Sequence, residues 1–231
     1  MHVVTLNNQK QWEKLKQKGL SDKIAELDDY VIAVSKGLYS TGQYLEANCP
    51  GIPDIAQLRT AHYLAFKDVH AWAGTFRKPN ESSAIAGFPA CDPVRIQREL
   101  KITELQVQQI AFSESLPPLT AAAFYHVRLE RIHPFKDGNG RVGREILTAQ
   151  LRANVKNDLP ILGNREEYLH AMKQANSGEL SDLLNYLNRT CGIKSAYTSI
   201  KSPFRMAAFF RDDPSVFPSI SEEFEESKIK T

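Results

Sequence analysis

The sequence predicts an all-α fold, and two features of the amino-acid pattern support this class. Apolar residues recur at intervals of three and four along most of the chain, which is the spacing of one helix face. Strand signals are almost absent outside residues 82–92. With 231 residues, of which 42% are hydrophobic and 24% charged, the chain has the composition of an ordinary soluble globular protein. It is long enough to bury a core without disulfides.

The first well-marked helix is predicted to begin near Pro53, because proline fits the first helical turn. Its apolar positions continue to Trp72, and Gly74 is its expected end. These positions are Leu58, Ala61, Ala65, Val69 and Trp72. Residues 78–92 then interrupt the pattern with proline, glycine, asparagine and serine around the apolar run Ala84-Ile85-Ala86. That composition is typical of an exposed hairpin or loop.

A second helix is predicted to start at Asp92-Pro93, with Asp92 as its N-cap. After a break at Pro117-Pro118, residues 119–132 are apolar on more than one face, which is typical of a central, buried helix. That helix is expected to end at His133-Pro134, since the residue before a proline disfavours the helical conformation. Three more helices are predicted, one from near Arg141 and two over residues 166–175 and 180–187.

Composition excludes several classes of function. The formal net charge of +2 is too small to argue for a nucleic-acid partner or an anionic membrane, and neither is predicted. The three cysteines, Cys49, Cys91 and Cys191, lie far apart and are expected to be free thiols. We find no secretory signal and no apolar stretch near the about 20 residues that span a bilayer. We therefore expect a cytoplasmic protein, with delivery into another cell left open.

The segment from His133 to Arg144, His-Pro-Phe-Lys-Asp-Gly-Asn-Gly-Arg-Val-Gly-Arg, carries the chemistry. Gly138 and Gly140 remove side chains where backbone N–H groups can approach a ligand, and the next helix supplies unpaired N–H donors at its N-terminus. Together these features predict an anion site. Arg141 and Arg144 are one helical turn apart, so both guanidinium groups can face the same phosphate.

Two further residues of this segment add reactivity to the anion site. Asp137 offers the hard oxygen ligand that phosphate-bound Mg²⁺ prefers. His133 titrates near neutral pH and can accept a proton from a hydroxyl nucleophile. A base, a metal ligand and a cationic phosphate cradle predict phosphoryl or nucleotidyl transfer.

Neither a calcium loop nor a Walker loop fits this segment. A calcium loop starting at Asp137 would need glycine at the position of Val142 and glutamate at that of Thr148. The Gly-Lys-Ser/Thr of a Walker loop is missing. An ordinary helix–helix turn is the remaining alternative, but such turns rarely combine His, Asp, Asn and two Arg. Outside the segment, His62 and His70 are interpreted as packed or surface histidines, and His126 as either a support for the site or a core residue.

These residues resemble the motif of the Fic family, His-Pro-Phe-x-Asp/Glu-Gly-Asn-Gly-Arg-x-x-Arg, at every fixed position. The upstream Trp72-Ala-Gly-Thr-Phe-Arg77 is similar to a second family segment. The resemblance covers roughly residues 53–190. It implies a catalytic domain over 53–190, and we expect an N-terminal helical extension over residues 1–52 packed on the core and, from its less periodic sequence, a partly ordered appendage over 191–231.

The resemblance implies an all-α Fic fold with a small β-hairpin flap, and a protein adenylyltransferase that uses ATP and Mg²⁺ to modify Ser, Thr or Tyr hydroxyls. His133 would be the general base and Asp137 the magnesium ligand. The phosphate cradle would run over Gly138, Asn139, Gly140 and Arg141, with Arg144 on the terminal phosphate. The flap, which binds the target protein, would place Ala84, Ile85, Ala86 and Gly87 along the nucleotide. Tyr168 and Asn176 would close the nucleotide site.

Regulation and the transferred group are the points left open. Many relatives carry an inhibitory Ser/Thr-x-x-x-Glu-Gly/Asn helix, but Ser219 to Phe224 has phenylalanine at its last position, and Thr41 to Ala47 is one residue too long. A separate antitoxin-like inhibitor, or no such control, is the resulting expectation. The alternatives to adenylyl transfer are a Fic-fold phosphotransferase or phosphocholine transferase, and a nucleotide-binding regulator without turnover.

Overall fold

A computed structural model describes residues 9–49, 51–81, 83–85, 88–111, 118–155 and 164–192. Nearly all of the appendage predicted over residues 191–231 therefore lies outside the described residues, as do Ala86, Gly87 and the segment from Ser219 to Phe224. The described part is predominantly helical, which confirms the predicted class. Its helices are α1 (Gln9–Gln17), α2 (Leu27–Asn48), α3 (Ile55–Phe66), α4 (Ile96–Ala111), α5 (Pro118–Ile132), α6 (Asn139–Val155), α7 (Arg165–Asn176) and α8 (Ser181–Thr190).

Helix α5 lies at the centre, as its apolar pattern predicted. Most of its side chains are buried, and it packs between α4 and α6 with α7 and α8 against it. On the far side of α6, α2 packs against both α3 and α6. Gly37 permits this approach, because a Cβ there would lie 2.3 Å from the carbonyl oxygen of Ala65.

The prediction that the helix after Pro53 runs to Trp72 is wrong. Helix α3 ends at Phe66, and the chain continues through tight turns in which the N–H groups of Val69 and His70 both donate to the Phe66 carbonyl. Val69 still faces the core and is fully buried, so the helical spacing of apolar residues outlasts the helix itself. At its start, Asp54 caps α3 by accepting from the N–H of Gln57 at 2.7 Å.

Two strands of two residues each, β1 (Ala84–Ile85) and β2 (Phe88–Pro89), pair antiparallel within the segment predicted as a hairpin. Ala84 lies opposite Pro89, and Ile85 opposite Phe88. After β2, Asp92 accepts a hydrogen bond from the N–H of Val94 and caps a short 3₁₀ turn that leads into α4. Within the described ranges, none of the helices combines the length and the apolar character that a membrane span requires.

Candidate active site

The loop between α5 and α6 contains His133 and Asp137, for which chemistry is predicted, and it begins with a strained residue. His133 has φ = 50°, the left-handed region that non-glycine residues rarely adopt. Arg77 holds it there, since its Nε donates to the His133 carbonyl oxygen at 2.7 Å. The other guanidinium nitrogens of Arg77 donate to the carbonyls of Glu81 and Cys91 at 2.7 and 2.8 Å. One buried side chain thus ties both ends of the β1–β2 hairpin to the loop.

The protonation state of His133 follows from its neighbours. Nδ1 lies 3.3 Å from the carbonyl oxygen of Glu130, which can only accept, so Nδ1 carries the proton. Burial lowers the pKa of His133 to about 4, so the ring is neutral near pH 7. Nε2 therefore keeps its lone pair and is the nitrogen that can accept a proton.

Asn139 gives the loop its shape. Its Oδ1 accepts from the N–H of Phe135 at 2.9 Å, and its Nδ2 donates to the Phe135 carbonyl at 2.8 Å. The Phe135 ring is buried beneath the loop and stacks on His62, with ring centroids 3.8 Å apart. Asn139 thus links the start of α6 to the middle of the loop through two hydrogen bonds.

His62 forms a further side-chain hydrogen bond to the loop backbone. Its Nδ1 accepts from the N–H of Gly74 at 2.9 Å, so Nε2 carries the proton and donates to the Asp137 carbonyl at 2.9 Å. The side chain is completely buried, and burial lowers its pKa to about 4. Of the two interpretations of His62, packed or surface, the structure confirms the packed one. The sequence does not predict its hydrogen bond to the loop, because His62 and Asp137 are 75 positions apart.

Asp137 sits among cations at the loop's end. Its Oδ1 accepts from the N–H of Gly138 at 2.8 Å. Its Oδ2 lies 3.0 Å from the Lys18 ammonium and 3.5 Å from the Arg141 guanidinium. Burial alone would raise the pKa of Asp137, but Arg141 and Lys18 outweigh burial and hold that pKa below its ordinary value. The carboxyl is therefore ionised near pH 7.

Gly138 opens the N-terminus of α6. Its φ is +79°, and a Cβ there would lie 2.3 Å from the Phe66 ring, so no other residue fits without displacing that ring. Arg141, in the first turn of α6, stacks over the same ring with its guanidinium carbon 4.6 Å from the ring centroid. It also donates to the buried Tyr30 hydroxyl at 2.6 Å. Tyr30 belongs to α2, and no sequence pattern marks its part in the site.

Arg144 belongs to a buried polar cluster, together with Tyr168, His126 and Glu130. The Nδ1 of His126 donates to the Gly143 carbonyl at 3.1 Å, so its Nε2 accepts from the Tyr168 hydroxyl at 2.7 Å. The Tyr168 oxygen can in turn accept from Arg144. The structure therefore confirms the interpretation of His126 as a hydrogen-bonded core residue.

Glu130 is the member of this cluster that the sequence did not single out. It is 7% exposed, and its Oε1 has no hydrogen-bond partner among the described residues. Burial raises its pKa to about 7, against a smaller lowering effect of Arg144. Gly143 makes room for it, since a Cβ at Gly143 would lie 2.7 Å from Oε1.

The remaining predicted residues lie at the edges of this region or outside the described part. Asn176 is buried at the end of α7, and its Oδ1 lacks a hydrogen-bond partner within the described chain. Ala84 and Ile85 form β1, whereas Ala86 and Gly87 are not described. Glu46, in the near-match to an inhibitory helix, pairs with Arg152 rather than with Arg144.

A comparison with protein families matches residues 53–151 to the Fic/DOC family. Among curated proteins, a protein adenylyltransferase Fic of Drosophila willistoni is 36% identical over 77 residues, which are 33% of this chain and 16% of the fly protein. A Drosophila persimilis protein of the same name is 37% identical over 76 residues. The matched segment spans about one sixth of these relatives.

Solved structures share the fold. The N-terminal Fic domain of a VirB-translocated effector of Bartonella quintana, with bound ADP, aligns with a TM-score of 0.60 at 21% identity over 74% of this chain and 88% of that one. A VirB-translocated effector of Bartonella tribocorum, with bound AMPPNP, aligns with a TM-score of 0.58 at 19% identity over 74% and 90% of the two chains.

Proposed function

Because residues 53–151 match the Fic/DOC family, we propose that this chain is a protein adenylyltransferase that moves AMP from ATP to a Ser, Thr or Tyr hydroxyl of another protein. One observation carries the proposal. A neutral histidine with a free lone pair, an ionised carboxylate and the N-terminus of a long helix lie within one segment of twelve residues. Mere binding of a nucleotide needs no base, which weighs against a regulator without turnover.

His133 performs the proton transfer. The target hydroxyl gives its proton to Nε2 of His133 as its oxygen attacks the α-phosphorus. A new O–P bond forms, the bond from the α-phosphorus to the bridging oxygen breaks, and pyrophosphate leaves with that electron pair. The hydrogen bond to the Glu130 carbonyl keeps the ring proton on Nδ1, so Nε2 has the lone pair that accepts the proton of the target hydroxyl.

The start of α6 binds the phosphates. Its first two N–H groups, those of Asn139 and Gly140, precede the first backbone hydrogen bonds and lie at the positive end of the helix dipole. Those first bonds run from Arg141 and Val142 to the Gly138 carbonyl. Gly138 and Gly140 keep side chains away from this surface, and Arg141 and Arg144 add two positive charges one turn apart. The hydrogen bond to Tyr30 holds the Arg141 guanidinium, so little ordering of that side chain is needed when phosphate binds.

Asp137 would hold Mg²⁺ only together with the nucleotide. The described residues contain no cluster of three or more His, Cys, Asp or Glu side chains that could hold a metal alone. Mg²⁺ bound to a nucleotide is typically held by one or two carboxylates and by phosphate oxygens, which fits a single ionised Asp137. Such an ion neutralises charge that develops on the phosphates.

The nucleotide base and the target protein would bind at opposite edges of the loop. The unpartnered Oδ1 of Asn176 can accept a hydrogen bond from an amino group, such as that of adenine. The β1–β2 hairpin, with residues 84–87 along the nucleotide, would receive an extended segment of the target through main-chain hydrogen bonds. Arg77 couples that hairpin to His133, which brings the bound hydroxyl to the base.

Intact-mass spectrometry of candidate target proteins after incubation with ATP and Mg²⁺ tests the proposal. A gain of one AMP per modified site is the expected result. A gain of phosphate or phosphocholine would replace adenylyl transfer by another reaction of the fold. No gain on any target, from a chain that binds ATP, would favour a non-catalytic regulator.

A further inference from the structure

The residue directly after helix α1 is a lysine whose side chain contacts Asp137, the predicted metal ligand. Helix α1 ends at Gln17, and Lys18 follows it directly. The backbone at this point is fastened to the turns after α3: Trp72 Nε1 donates to the Lys18 carbonyl at 3.0 Å, and His70 Nδ1 to the Gly19 carbonyl at 3.0 Å. The Ser21 N–H donates to the Val69 carbonyl at 2.8 Å. The backbone of Lys18 is therefore held in place beside the site, although Lys18 lies outside the segment that matches the family.

The Lys18 ammonium contacts Oδ2 of Asp137, the carboxylate oxygen that does not accept the hydrogen bond from the loop. Oδ1 of Asp137 is used by the N–H of Gly138, and Oδ2 by the Lys18 ammonium at 3.0 Å with Arg141 at 3.5 Å. Both carboxylate oxygens are thus engaged by donors of the chain itself. A divalent cation bound at Oδ2 would be repelled by both positive groups, and the ammonium, which is the nearer of the two, must give way for the ion to take its place.

We propose that Lys18 is a resident counter-ion of Asp137 that Mg²⁺ must displace, so that α1 sets the metal affinity of the nucleotide site. The inference rests on the proposed function, since it takes Asp137 as the magnesium ligand. Lys18 can make this move because its side chain is 37% exposed, whereas its backbone is held in place. Arg141 stays, since Tyr30 and Phe66 fix its guanidinium.

The test measures metal affinity and needs no turnover. The binding of AMPPNP to the full chain is followed by calorimetry over a series of Mg²⁺ concentrations, which gives the Mg²⁺ midpoint for nucleotide binding. The variants are Lys18→Met, Lys18→Gln and Lys18→Arg, with Asp137→Asn as the control for the metal ligand. Lys16→Met is the matched control, because it removes the same charge from α1 while its ammonium pairs with Glu13 at 2.7 Å.

In Lys18→Met and Lys18→Gln, the Mg²⁺ midpoint should fall about 1.4- to fivefold, the range expected for losing a partly exposed charge pair. Lys18→Arg and Lys16→Met should keep the wild-type midpoint, and Asp137→Asn should remove the Mg²⁺ dependence. A midpoint that is unchanged or higher in both neutral Lys18 variants, with Asp137→Asn still effective, would overturn the role of Lys18 alone. AMPPNP binding that ignores Mg²⁺ in wild type and Asp137→Asn alike would overturn the metal site and this inference together.

Discussion

At the scale of single residues, hydrogen bonds to the backbone fix which ring nitrogen carries the proton in four histidines. His62, His70, His126 and His133 each use one ring nitrogen to donate to a carbonyl. Burial lowers the pKa of His62 and His133 to about 4 and that of His126 to about 3. His62 and His126 use both ring nitrogens in hydrogen bonds and therefore serve as rigid links. His70 and His133 each keep an Nε2 without a partner within the described chain, but that of His70 is buried, so we propose His133 as the base.

Replacing His133 with alanine should lower the rate of AMP transfer by about 10²–10⁴-fold, the usual contribution of a general base. Nucleotide binding should stay near wild type, because the phosphate cradle is formed by other residues. The rate of target labelling and the Kd for AMPPNP measure the two effects. His170→Ala is the control, since that side chain is 67% exposed on α7. Labelling by His133→Ala at close to the wild-type rate would show that another group is the base.

Glu130 should give the stability of the protein a distinct pH dependence. Its pKa is raised from 4.5 to about 7 in the folded state, so the folded chain binds this proton more tightly than the unfolded chain. The stabilisation is fully present below pH 4.5 and is lost as pH rises through about 7. The free energy of unfolding of wild type minus that of Glu130→Gln should therefore fall between pH 4.5 and 7, as followed by urea denaturation. A difference that rises with pH over this interval would mean that Glu130 is ionised and stabilised in the fold.

At the scale of elements, the sequence predicted most helices, but not the contacts that join them. Apolar spacing placed α5 at the centre, and the His-Pro pair marked its end, since both signals are local. The length of α3 was overestimated because Val69 and Trp72 keep helical spacing while lying in turns. Arg77 shows the limit most clearly: its bonds to residues 81, 91 and 133 depend on how three separate segments meet.

Ile85→Pro should impair protein modification while AMPPNP binding stays close to wild type. Proline removes an N–H donor from β1 and disturbs its pairing with Phe88. Ile85→Val, which keeps the N–H and the β-branched side chain, is the control and should label the target normally. A large drop in the melting temperature of Ile85→Pro would instead assign Ile85 to the core. Normal melting with full labelling would exclude the hairpin as the docking element.

At the scale of the whole molecule, the helices before residue 53 take part in the site. The motif itself could be found from sequence, because its residues lie within twelve positions of one another. Lys18 and Tyr30 could not, because each is more than 100 positions from its partner in the loop, and no local pattern marks a lysine or a tyrosine for such a contact. These residues reach the loop because α1 ends beside it and α2 packs on α3 and α6.

Tyr30→Phe should weaken AMPPNP binding about three- to tenfold, because the Arg141 guanidinium loses a hydrogen bond that holds it in place. The ring remains, so the core should keep its packing and the melting temperature should change little. Tyr39→Phe is the matched control, since Tyr39 lies on the same helix and is 69% exposed. Equal nucleotide affinity in the two variants would show that Tyr30 does not position Arg141.

The most direct test compares ATP labelled at the α-phosphorus with ATP labelled at the γ-phosphorus in a cell lysate that contains the purified chain. Adenylyl transfer predicts that adding the chain increases the protein label from α-labelled ATP but not from γ-labelled ATP, relative to the same lysate without the chain, and that His133→Ala abolishes this increase. Label that arrives only from the γ-position would contradict the account, as would α-label of equal strength with His133→Ala.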